Sequence, residues 1–221
     1  GGGQRTCCKR AVHGTCRTCL GLHLGHLHGV TENIAGTAAE NGHNVVLVER
    51  NDKVARKVMI TGKGRCNVTN NCDEETFLKN VRTNPKFLYS SIYGFPPVKT
   101  MEFFEGMGVA LKTERGRRVF PVSDSAQDIK NALDKHAKGA KIIFDDVTEL
   151  LFEDERVRGV KLKSGKKLYA DKVIVATGGM SYKQTGSTGD GYKFARQAGH
   201  TVVTPTASLV PLVENGSMCR E

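Results

Sequence analysis

The sequence predicts an α/β fold built on a parallel sheet, and three stretches carry that prediction. Asn44-Val45-Val46-Leu47-Val48-Glu49 is a continuous apolar strand, and Ala35, Ala38 and Ala39 stand before it at helical spacing with Asn41-Gly42 as a stop. Lys172-Val173-Ile174-Val175-Ala176 is a second β-branched strand, running straight into Thr177-Gly178-Gly179. Between them, Val147 to Phe152, Val157 to Lys163 and Lys167 to Ala170 read as a meander, with turns at Glu153-Asp154-Glu155 and Ser164-Gly165. Uninterrupted apolar strands suit a sheet covered on both faces, as parallel sheets are.

Composition narrows the function classes. At 221 residues the chain is long enough for one or two domains with a real core. No apolar run reaches the ~20 residues of a membrane helix, and the N-terminus has no hydrophobic signal core. A cytoplasmic location and no membrane partner are therefore expected. The net charge of +10 is interrupted by acids and tryptophan is absent, so no nucleic-acid partner is expected and a small anionic ligand explains part of the charge. Arg50, Lys53, Arg56, Lys57, Lys63 and Arg65 form a basic run that would concentrate a phosphate-bearing ligand. The seven cysteines are an odd count, against a closed disulfide framework.

In chain order, residues 1–33 come first, with Cys7, Cys8, Cys16, Cys19, His13, His23, His26 and His28 and no helical or strand periodicity. Cys16-x-x-Cys19 with His23 and His26 has ligand types that zinc accepts, but the spacing is not that of a finger, and no metal site is assigned. This leader reads as disordered or mistranslated. The helix from Ile34 and the strand ending in Glu49 form half of a βαβ unit. An acid at that strand end accepts ribose hydroxyls in dinucleotide-binding folds; a solvated strand-end glutamate is the alternative. The first strand and its Gly-x-Gly-x-x-Gly turn are missing from their expected place.

Ile60-Thr61-Gly62-Lys63-Gly64-Arg65-Cys66-Asn67-Val68-Thr69-Asn70 follows. Its glycines allow close backbone approach, and Arg65, Asn67 and Thr69 offer donors to phosphate or sugar oxygens, although a polar turn has the same letters. Helices are predicted over Glu74 to Val81, Pro85 to Tyr93 and Val98 to Met107, with Phe77, Phe87, Tyr89, Tyr93, Phe95, Phe103 and Phe104 mostly as their core. Short strands at Val109 to Leu111 and Arg118 to Val122 flank the basic turn Arg115-Gly116-Arg117. Ser123 or Asp124 should cap a helix over Ala126 to Lys138, and a strand opens at Lys141 to Phe144. Thr177-Gly178-Gly179 places backbone N–H groups at the carboxyl edge of the sheet, where open α/β sheets bind ligands. Gly186-Ser187-Thr188-Gly189-Asp190-Gly191 opens a last helix, with Asp190 as a candidate N-cap. Thr201-Val202-Val203 resumes strand character, and a further element begins at Ser208 to Leu212.

Six stretches in this order carry a family resemblance: Val-Val-Leu-Val-Glu-Arg, Ile-Thr-Gly-Lys-Gly-Arg-Cys-Asn-Val-Thr-Asn-Asn, Arg-Val-Phe-Pro-Val-Ser-Asp, Ala-Thr-Gly-Gly, Thr-Gly-Ser-Thr-Gly-Asp-Gly-Tyr and Ser-Leu-Val-Pro-Leu. From about Ile34 to Leu212 the chain resembles the bacterial NAD(P)/FAD-dependent oxidoreductases, often called aminoacetone oxidase family FAD-binding enzymes, of the glutathione-reductase-type superfamily. The resemblance implies a Rossmann-like parallel sheet with a β-meander crossover, here truncated at both ends. It also implies that Glu49 holds the adenosine ribose and that Lys57 lies near the cofactor. Gly62, Gly64, Arg65, Cys66 and Asn67 would line flavin and pyrophosphate, and Val147 would meet adenine through its backbone. Ala176, Thr177 and Gly178 would pass the pyrophosphate, with Asp190 by the flavin or the domain junction. Lys63 stands where the family has glycine, and Ala55 replaces a glycine before Arg56-Lys57.

The expected function is hydride transfer between NAD(P)H and a small organic substrate through FAD, with no catalytic acid or base assigned. The expected domains are a leader at 1–33, an incomplete FAD-binding domain at 34–207 and the start of a second at 208–221. A frame error or mis-joined exon would account for residues 4–33, and weak or no FAD retention is expected of a chain incomplete at both ends. The alternatives are a basic zinc- or nucleic-acid-binding module and an inactive cofactor-domain fragment.

Overall fold

The computed structural model describes residues 18–23 and 30–206. In chain order these form β1 (Thr18–His23), α1 (Val30–Glu40), β2 (Asn44–Glu49), α2 (Arg56–Ile60), β3 (Thr69–Asn70) and α3 (Glu74–Lys79). Then come α4 (Tyr89–Gly94), α5 (Pro97–Gly106), β4 (Leu111–Glu114), β5 (Arg118–Pro121) and α6 (Ala126–His136). The chain continues with β6 (Lys141–Phe144), β7 (Val147–Glu153), β8 (Arg156–Leu162), β9 (Lys167–Tyr169), β10 (Lys172–Ala176) and α7 (Asp190–Gln197).

The parallel sheet is present, in the order β10-β1-β2-β6. Its register aligns the carboxyl ends: His23 lies opposite both Glu49 and Ala176, and Glu49 lies opposite Phe144. β1 corrects the expectation that the leader holds no ordered element. Thr18-Cys19-Leu20-Gly21-Leu22-His23 has little strand character of its own; hydrogen bonds to β2 on one side and β10 on the other define it, a tertiary effect that local pattern does not carry. Cys16 and His26 of the zinc reading lie outside the described residues, as does the element at Ser208 to Leu212. Among the described residues no group of histidine, cysteine or acids gathers for a metal, and no helix is long and apolar enough to cross a membrane.

The meander β7-β8-β9 is antiparallel as predicted, and α7 lies on it. Val48, Val147, Leu150, Val160, Leu162 and Phe194 form one core between sheet, meander and α7. On the other face Ala35 of α1 packs on Val45, Leu47 and Val54. The small residues of α1 serve close helix packing: a Cβ on Gly36 would lie 2.2 Å from the His136 ring of α6.

The excursion after the glycine loop is helical, with the small sheet β3-β5-β4 beside it. Its core is Ala55, Val58, Cys66, Phe104, Val109, Ile129 and Leu133 rather than the aromatic set. Phe104 is buried, but Phe87, Tyr89, Tyr93 and Phe95 are exposed, so the expectation of an aromatic core holds for a minority of them. Aliphatic side chains of α2 and α6 already fill the space between these elements. Two caps also differ. Ser125, not Ser123 or Asp124, caps α6, its hydroxyl accepting from the Gln127 amide at 3.2 Å, because Asp124 is held by Arg65 and Lys112 and Ser123 by Asp128. Gly189 at φ 87° occupies the cap of α7, with Asp190 one residue inside. Among the described residues Thr201 to Val203 pairs with no strand, and Val203 is exposed.

Candidate functional site

The carboxyl end of β2 anchors the site. Glu49 ends the strand fully buried, its Oε1 accepting from the Asn51 backbone amide at 2.7 Å and from Asn51 Nδ2 at 2.6 Å. Its carbonyl accepts from Asp145 N at 2.9 Å, which hangs the β6–β7 turn, and with it Val147, on the same strand end. A buried carboxylate held in place by an adjacent amide is an oriented acceptor, the group a ribose diol needs.

The glycine loop lies on the other side. Thr61–Gly64 is a tight turn with Gly62 at φ 57°, Lys63 at 59° and Gly64 at 86°, and Cys66 follows at 60°. Left-handed backbone at the non-glycine Lys63 and Cys66 costs roughly 1–2 kcal/mol each and is held by the surrounding bonds. Cys66 N donates to Thr61 O at 3.0 Å, and the Asn67 amide nitrogen donates to Val119 O at 3.2 Å and Thr69 O at 3.0 Å. A Cβ on Gly62 would lie 3.0 Å from both Asn67 N and the Phe120 ring, so this glycine is required by the turn itself.

Beside the loop opens a cleft of about 590 Å³, walled by Lys57, Lys63, Arg65, Arg118, Phe120 and Tyr182. Burial lowers the pKa of the Lys57 ammonium, which stands 5.4 Å from the centre of the Tyr182 ring. Arg65 forks onto Glu114 at 2.9 and 3.0 Å, reaches Asp124 at 2.9 Å and stacks 4.0 Å over Phe120. The Arg65 hydrogen bond holds Glu114 below the usual carboxylate range. Arg65 is thus a wall whose charge is offset by two acids, and Lys57 and Lys63 are the cleft's ammonium groups. The structure does not bring the Cys66 thiol to the cleft: it is fully buried in the helical core, where desolvation raises its pKa.

The third wall comes from the end of β10. Thr177 is buried, Gly178 turns at φ 67°, and α7 approaches so closely that a Cβ on Gly191 would lie 2.5 Å from Thr177 Oγ1. Asp190 does not cap α7 with its side chain; its carboxylate receives Arg50 Nη1 at 3.0 Å and the Thr188 hydroxyl. Arg50, Asn51, Asp146 and Thr188 were not singled out by sequence reasoning for the contacts they make. The legible signal was only that Arg50 directly follows a strand-end acid. Glu49, Val147 and the start of α7 gather at one end of the sheet. Lys57, Gly62 and Lys63 line the cleft, joined to that end through Tyr182 and Thr185, whose carbonyl receives Asn51 Nδ2 at 3.2 Å.

The donor set fits FAD: an oriented carboxylate for ribose hydroxyls, two lysines for phosphate charge and glycine turns at the carboxyl edge of a parallel sheet. Comparison with known proteins agrees. A 3-dehydro-bile acid delta(4,6)-reductase from Clostridium scindens is 29% identical over 201 residues, covering 87% of this chain and 47% of that protein. A ribosomal RNA dihydrouridine synthase from Escherichia coli is 30% identical over 186 residues, covering 83% and 46%. The chain therefore spans about half the length of the curated relatives it matches. Among solved structures, the Thermovibrio ammonificans THI4 protein superposes with a TM-score of 0.50 at 13% identity, over 84% of this chain and 64% of that one. The Mycobacterium smegmatis Sdh1 complex gives 0.51 at 18% identity, over 82% and 39%; both likenesses concern the fold alone. Residues 33–216 match the family described as "HI0933-like protein Rossmann domain", and the chain belongs to this family of FAD-dependent oxidoreductases.

Proposed function

We propose that this chain supplies the FAD site of an oxidoreductase that takes hydride from NAD(P)H and reduces an unsaturated organic acceptor in the cytoplasm. The observation that carries the reading is Glu49, a buried, oriented carboxylate in register with the carboxyl ends of the other strands of the parallel sheet. The names of two relatives, a delta(4,6)-reductase and a dihydrouridine synthase, support reduction as the direction. Bound flavin supplies the hydride-transfer chemistry. The protein's part is to bind and orient. Glu49 would accept from the ribose hydroxyls, the Val147 backbone would hold adenine, and Ala176, Thr177 and Gly178 would hold the pyrophosphate. Gly62 and Gly64 let the loop approach, and Lys57 and Lys63 offset phosphate charge.

The test is anaerobic mixing of the FAD-loaded protein with NADH or NADPH, followed by the flavin absorbance. Bleaching by one of the two supports the reading. A flavin that stays oxidised with both, on a protein that retains FAD, overturns the assignment of the donor.

A further inference from the structure

Arg50 follows Glu49 directly, and its side chain is only 17% exposed. Nε and Nη2 both donate to Asp146 Oδ1, at 3.2 and 2.6 Å, immediately before Val147. Nη1 donates to Gly186 O at 3.4 Å, to the Thr188 hydroxyl and to Asp190 Oδ2 at 3.0 Å. One guanidinium thus ties the end of β2 to chain segments 96 and 140 residues away. Asn51 closes the same junction: it binds Glu49 Oε1 and Thr185 O, and a Cβ on Gly186 would lie 2.9 Å from its Nδ2. Two acids against one cation make this more than charge neutralisation. The planar fork fixes direction as well as distance, which an ammonium does not.

We infer that Arg50 is a positioning residue of the cofactor site, latching residues 185–190 and the Asp146 turn onto the carboxyl end of β2 so that Glu49, Val147 and the start of α7 keep one spacing. The inference rests on the FAD reading above. Without the latch, the wall formed by residues 185–190 has lost its charged anchor, and FAD must order it on binding, which lowers affinity.

The experiment compares wild type with Arg50→Ala, Arg50→Lys, Asp190→Asn and the Arg50→Ala/Asp190→Asn double variant. It reads FAD affinity by titration and amide exchange of residues 186–192 in the FAD-free protein. Arg50→Ala should weaken FAD roughly tenfold or more, the scale of a charge-assisted hydrogen bond, and speed exchange in that segment. Arg50→Lys should restore part of the affinity. In the Asp190→Asn background the cost of Arg50→Ala should shrink to about threefold or less, as coupled partners require. A merely structural arginine would lower the melting temperature and leave affinity and segment exchange unchanged, and that result overturns the inference. A wild-type protein that binds no FAD overturns the FAD reading and the positioning role together; one that binds FAD as tightly as Arg50→Ala does overturns the role alone.

Discussion

Glu32 shows how far one side chain can act against the fold around it. It sits in the first turn of α1, fully buried, and among the described residues only the backbone amides of Glu32 and Ala55 approach its carboxylate, short of full hydrogen-bond geometry. Burial raises its pKa above 4.5, with Asp134 adding to the effect and the two backbone amides and Lys130 opposing it. Between 4.5 and that raised value the unfolded chain ionises while the folded chain keeps the proton, so stability falls as pH rises through the window. Glu32→Leu should therefore add about 1–3 kcal/mol at neutral pH, the scale of a buried, poorly paired polar group, and the gain should shrink towards pH 4.5 in urea titrations. The two described free thiols make a second residue-scale case. Cys66 is buried and Cys72 only partly so. Burial raises the pKa of both thiols, so access decides reactivity. Alkylation of the native protein followed by peptide mapping should label Cys72 well before Cys66; the reverse order would place Cys66 at the cleft after all.

At the scale of elements, the meander is the most exacting piece. Gly159 in β8 stands where a Cβ would lie 2.0 Å from Leu168 O of β9, a backbone atom that cannot step aside without breaking the pair. Gly159→Ala should cost about 2 kcal/mol or more, read from the denaturation midpoint, because overpacking against backbone forces strands apart. The meander, β2, β10 and most of the helices were legible in the sequence, since each carries a local period or a turn that its neighbours reinforce. β1 was not, because its strand character comes from the two strands that flank it. The charged site residues were legible as charges and not as partners. Arg65 finds Glu114 and Asp124 at separations of 49 and 59 residues, and Arg50 finds Asp146 and Asp190 at 96 and 140, so pairing waits on topology. Phe87, Tyr89, Tyr93 and Phe95 failed in the opposite sense: aromatic composition suggests a core, but only packing decides which rings enter it.

For the whole molecule, the carboxyl ends of the parallel strands, the β6–β7 turn and the start of α7 are held together beside Glu49, a buried acceptor. The first strand, read from sequence as missing, stands between β2 and β10 and completes the central part of that sheet. If this end of the sheet is the FAD site, affinity must depend on Glu49 while the fold tolerates a neutral isostere whose oxygen still accepts from Asn51. The direct measurement is calorimetric titration of the purified protein and its Glu49→Gln variant with FAD, each first shown to be folded. With β1 in place between β2 and β10, the weak or absent retention expected from a missing first strand gives way to a prediction of about one FAD bound per chain, weakened roughly tenfold or more by Glu49→Gln, the scale of a hydrogen bond to a charged group. Equal affinity in the two proteins, or no binding by either, would contradict it.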